Sequence, residues 1–210
     1  MGLDWNPAKK PRAGHEEEFL ELWKIHTSLP TGEERAESEM RFQEISVSAF
    51  ETLGAPRVGF EKKATQWARE IYKQQNTDLA VDEWVKSLNG FYVLDLLPEC
   101  DGIPRYSNGE PGGYVERFSF RAQFLRDCEH IIGSSLLDAG YESKLPGATI
   151  SHGDALLEAA KEFAEQHRVD LTNLDIEDVD SLESQLDMVL CAGRWCQFWG
   201  TRDHGLEAYW

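Results

Sequence analysis

The chain has 210 residues, enough for one large domain or two small ones, and carries 38 Asp and Glu against 21 Lys and Arg, a net charge of −17. A surface of that sign repels phosphate backbones and anionic lipids, so direct nucleic-acid binding and a membrane-surface role are not expected; cations and basic proteins are the partners it attracts. Hydrophobic residues at 41% and charged residues at 28% suit a packed globular chain, and no apolar run approaches the ~18 residues of a membrane span.

Residues 1–14 contain Pro7, Pro11, Gly14 and the basic cluster Lys9, Lys10 and Arg12, which reads as an extended or loop segment pinned to the core by Leu3 and Trp5. The residues before Pro7 lack the apolar stretch of a signal peptide. His15 to His26 is predicted helical: Glu16, Glu17 and Glu18 favour the positive end of the helix dipole, and Phe19, Leu22, Trp23 and His26 share a face. Thr31 and Glu34 fit a capping box ahead of a second helix, whose apolar positions Phe42, Ile45, Ala49 and Leu53 run to a stop at Gly54 and Pro56. Two further helical stripes follow, Phe60, Ala64, Trp67, Ala68 and Ile71, then Val81, Trp84, Val85 and Leu88. Phe91 to Leu97 is a short apolar run that period alone assigns to neither strand nor helix.

Leu97 to Tyr114 holds three prolines and four glycines and reads as an irregular loop. Arg117 to Gly140 is predicted as one long helix through Phe118, Leu125, Cys128, Ile132 and Leu136. A linker around Pro146 and Gly147 leads to a helix capped by Ser151, with Leu156, Ala160 and Phe163 on its apolar face. Ser181 to Trp199 is the last helix, apolar nearly all round from Met188, as expected for a helix enclosed by others. The fold class that follows is all-α: about seven helices around a buried C-terminal helix, in a single domain over 1–210, with room for a minor two-stranded element from 91–97 and one terminus.

Two sets of residues are candidates for function. The loop 98–114 offers Asp101 as an acid or base and Arg105 as an anion holder; Arg121 on the next helix and His152 at the start of another would complete a small hydrolase-type site. The same loop also reads as a surface loop with no chemistry, and Arg121 and Arg194 as structural ion pairs or snorkelling side chains. The acidic tract between Val169 and Gly193 has seven acids and no Lys or Arg; Asp175, Glu177, Asp178 and Asp180 are its densest part. It suits a basic protein partner, or serves only as a solvated face.

No metal site and no cofactor are expected. Cys128 and His130, two apart on a helix, point about 200° away from each other, and 175–180 lacks the Gly and the final Glu of a calcium loop. No Walker A, dinucleotide or serine-hydrolase motif occurs. Cys100, Cys128, Cys191 and Cys196 form no C-x-x-C pair, and a reducing cytoplasm is the expected compartment. The leading expectation is therefore non-catalytic binding of a basic macromolecule, with the hydrolase as the alternative.

Overall fold

The computed structural model describes residues 2–28, 33–74, 77–98, 118–176, 178 and 180–209. Among these are eight α-helices and four short strands, so the protein is mainly helical. The chain divides into two compact units, one from Met1–Val47 with Cys100–Trp210, the other Ser48–Glu99.

The larger unit begins with β1 (Asp4–Pro7) and β2 (Lys10–Pro11). The expected small sheet is built from different residues than 91–97: β1 pairs antiparallel with the C-terminal strand β4 (Leu206–Tyr209), Trp5 opposite Ala208, and β2 pairs with β3 (Ser46–Val47). On its other side Trp5 exchanges both backbone hydrogen bonds with Phe120 (2.7 and 2.9 Å). Its indole N–H donates to the Gly140 carbonyl at 2.7 Å, so this fully buried ring keeps its polar atom satisfied.

Helices α1 (Glu16–Ser28) and α2 (Glu33–Glu44) enclose a small core of Ala8, Phe19, Trp23, Phe42 and Ile45. The predicted cap at Thr31 lies outside the described residues. α2 stops before the predicted end because Ile45 turns into β3, where the Arg12 amide donates to its carbonyl at 2.7 Å.

The predicted helix 117–140 is also broken. Phe120 is held in backbone pairing with Trp5, a three-ten turn follows at Ala122–Arg126, and only then does α6 (Glu129–Ala139) begin. Within α6 Gly133 adopts φ 76° and ψ 157°, a conformation open essentially to glycine alone, which kinks the helix.

Helix α7 (Pro146–His167) starts five residues before the predicted cap. Proline fits the first helical position, where an amide would lack a partner anyway. Ser151, rather than capping, returns its hydroxyl to the Gly147 carbonyl at 3.1 Å.

α7 packs antiparallel on α8 (Leu182–Gly200) through glycines. A Cβ on Gly153 would sit 2.7 Å from Cys196 Cβ and 2.8 Å from the Gly193 carbonyl, and one on Gly193 would meet Leu157 at 2.6 Å. These distances forbid a side chain, so the two backbones approach directly. α8 begins at a capping residue, Ser181 accepting from the Ser184 amide at 3.1 Å, and buries Leu186, Val189, Leu190, Trp195 and Trp199 among others.

The smaller unit holds α3 (Ala49–Thr52), α4 (Lys62–Ile71) and α5 (Val81–Ser87). Ser48 and Glu51 form a reciprocal capping box on α3. Residues 91–97 are neither strand nor long helix: Tyr92 bridges to Arg57, then a three-ten turn spans Leu94–Leu96. The core is Val58, Ala64, Ala68 and Val93, with Trp67, Val85, Leu88 and Leu96 half-buried against it.

Candidate functional site

A cleft of about 530 Å³ in the larger unit lies between α1 and the start of α7. Its floor is Ala8, Phe19 and Trp23; Leu20 and Leu145 with Pro146 form its apolar walls, and Lys10, Glu16 and Asp203 stand among the polar residues. The back wall is a hydrogen-bonded backbone spine. Ala8 N–H donates to the Gly205 carbonyl at 2.9 Å, while Lys144 and Leu206 exchange both bonds at 2.7 and 2.9 Å. Gly205 permits this approach, since a Cβ there would lie 2.1 Å from the Lys144 carbonyl.

Behind the spine His204 is fully buried, with Nδ1 2.6 Å from the Ala8 carbonyl. Burial brings its pKa down to about 4, so the ring is neutral and Nδ1 carries the donated proton. Lys144 also lines the cleft, but its ammonium turns to the end of α6. It donates to the Ala139 carbonyl and, at 2.9 Å, to that of Glu142, capping the helix. Burial lowers the Lys144 pKa below its ordinary value.

A second polar group joins three elements. His26 on α1 lies 3.0 Å from Glu39 of α2 through Nδ1, and 2.9 Å from Glu207 of β4 through Nε2. Both ring nitrogens face carboxylates, an arrangement that needs both to be donors and hence an imidazolium. Phe42 stacks on the ring at 5.1 Å, and Tyr209 donates to Glu207 at 2.8 Å. Burial pushes the Glu207 carboxyl up, but hydrogen bonds from His26 and Tyr209 outweigh it and leave the group below its usual range.

The sequence-predicted residues fall in separate environments. Asp101, Arg105 and Glu177 lie outside the described residues. Arg121 precedes the three-ten turn rather than lying in a helix, is half exposed, and pairs with Asp4 at 3.4 Å. Arg194 is exposed, so its charge needs no buried partner.

His152 is inside α7 and buried, edge-on to Trp5 at 5.5 Å. Burial, with a smaller push from the Lys144 charge, lowers its pKa to about 4. It is therefore a neutral core histidine at physiological pH. Asp175, Asp178 and Asp180 are exposed, as is Ile176 between them.

Sequence reasoning grouped Phe19, Trp23 and His26 on one face of α1 but missed what that face meets. Lys10 and the 203–205 turn lie nearly 200 residues apart, and no local pattern links them. Leu20, off the apolar stripe, is a local sign that α1 has a second apolar side.

Among the described residues no three His, Cys, Asp or Glu side chains converge as a metal site, and no helix is long and apolar enough to cross a membrane. No protein-family model, no curated protein and no solved structure matches the chain.

Proposed function

We propose that the protein acts by binding a basic protein partner rather than by chemistry, through the acidic turn that leads into α8. The observation that carries this reading is Ile176, 54% exposed, flanked by the exposed carboxylates of Asp175, Asp178 and Asp180. An exposed aliphatic side chain beside carboxylates offers a basic partner an apolar anchor with an electrostatic rim.

The turn is shaped by its own side chains. Asp178 accepts from the Asp180 amide at 3.1 Å, and the Ser184 hydroxyl donates to the Asp178 carbonyl at 2.6 Å. The turn continues into α8, which we take as the helix the others surround. The cytoplasm is the compartment we favour, because Cys128, Cys191 and Cys196 are free and buried, a state suited to a reducing environment.

The test is comparative capture. Proteins retained from the source cells by the native chain and by a triple variant, Asp175→Asn, Asp178→Asn and Asp180→Asn, are identified, and the affinity of the purified partner is measured over a salt series. The native chain should bind a basic protein, and the variant should bind it on the order of tenfold more weakly with a flatter salt dependence. A partner held equally by both, or one with no basic surface, defeats the proposal.

A further inference from the structure

We propose that the cleft between α1 and α7 is a binding site for a small amphipathic carboxylate, its apolar body on Trp23 and Phe19 and its carboxylate towards the start of α7. This site is separate from the acidic turn and does not depend on it.

Size and lining set the ligand class. About 530 Å³ is within the range of small-molecule sites, roughly 300–1,000 Å³. Leu20 and Leu145 face this cleft with 42% and 38% of their surface in water. Two large aliphatic side chains left wet on the walls of one cleft, over an aromatic floor, form a surface that an apolar body would cover. Trp23 is only 6% exposed, yet its indole N–H finds no acceptor among the described residues. Unlike the indole N–H groups of Trp84 and Trp195, this one is not sealed from solvent, so it is open to an acceptor on the ligand.

The charge at the α7 end selects an anion. α7 is 22 residues long and its N-cap, Leu145, supplies no side-chain acceptor. The Thr149 amide is taken by the Leu145 carbonyl at 2.9 Å. The Gly147 and Ala148 amides, at the positive end of the helix dipole, find no acceptor among the described residues.

Lys10 adds a full charge: its ammonium donates to the Arg202 carbonyl at 3.0 Å and has two further protons. Of the other two lysines in the lining, Lys144 is directed to the α6 carbonyls and Lys9 lies over the Phe42 ring at 5.7 Å. Glu16, which accepts from the Gly14 amide at 3.1 Å, and Asp203 also line the cleft. They would repel a dianion more than a monoanion, so a monocarboxylate with a hydrocarbon or aromatic body is the fit.

Calorimetry with decanoate, decanol and decylammonium tests this on the full chain. Attraction to a net charge of −17 would favour the ammonium. Decanoate should nevertheless bind best, at one site per chain. Leu20→Asp and Leu145→Ala change exposed side chains, leave the fold intact by circular dichroism, and should each weaken decanoate on the order of tenfold, the value of one apolar side-chain contact. Lys10→Met should weaken decanoate severalfold and leave decanol unchanged. Decylammonium binding as well as decanoate, no decanoate binding, or indifference to both leucine variants overturns the proposal. The triple Asn variant of the acidic turn should bind decanoate normally, which separates failure here from failure of the partner reading.

Discussion

The two units solve the same problem with different material. The larger fills its interior with aromatic rings: Trp5, Phe120, Trp195 and Trp199 are all fully buried, and Trp5 meets Phe120 at 5.2 Å and Trp195 at 6.0 Å. The smaller is centred on two valines and two alanines and leaves Phe60 and Phe91 exposed. Charge divides as unevenly, since residues 48–99 hold six basic and eight acidic side chains and all six histidines lie in the larger unit. A unit of some 50 residues with so thin a core is marginal by size alone, because small domains bury too little of their surface. Stability, acidity and pH sensitivity are thus concentrated in one unit, and three perturbations can break that distinction.

The largest effect should come from Trp5→Ala. The ring touches Phe120, Trp195 and His152, and its N–H holds Gly140, so one residue joins β1, α6, α7 and α8. Emptying a site of this kind costs about 3–5 kcal/mol. Urea unfolding should show the full loss, and the milder Trp5→Phe should lose the Gly140 bond while keeping most of the packing. If amide exchange in α4 accelerates as much as in α8, the two units share one core and the contrast fails.

Acid should act next most strongly, again on the larger unit. His152 and His204 have folded-state values of about 4, against an ordinary value near 6.5. In the unfolded chain both would take protons below about pH 6.5, whereas the fold keeps them neutral down to about 4. The stability they contribute is complete above pH 6.5 and declines as pH falls through that window, by about 3 kcal/mol each at most. Opening free energies from hydrogen exchange should fall in α7 and α8 between pH 6.5 and 4.5 and stay level in α4. A level profile in α7 would mean that His152 is not held neutral.

Much of this helical frame was legible because helix signals are local. The face of α1 and the glycine stop at Gly54 are each read from a few adjacent residues. What was not legible depends on residues far apart. Nothing near Trp5 announces that it pairs with Phe120 and Ala208, and that pairing removes Phe120 from the predicted helix 117–140. Pro146 and Gly147 looked like a linker, because the same two residues also suit a first helical turn. The cleft needed α1, α7 and the 203–205 turn together, and the clamp on His26 needed α1, α2 and β4. In each case the residue types were visible and their company was not.

The smallest absolute effect is the most telling about the smaller unit. Ser48→Ala removes the side chain that accepts from the Glu51 amide at 3.2 Å and leaves the reciprocal Glu51 bond to the Ser48 amide. Loss of such a cap costs about 1 kcal/mol. In the larger unit that would be a minor fraction of the total. In a unit whose core is four small side chains, it is a large share of whatever holds the unit closed, and partial opening is governed by that local balance. Amide protection in 49–97 should therefore drop about fivefold while that of α7 and α8 stays constant, because 1 kcal/mol corresponds to about that ratio. Equal acceleration in both units would show that the chain opens only as a whole, and the thin core of residues 48–99 would then draw its stability from the rest of the protein.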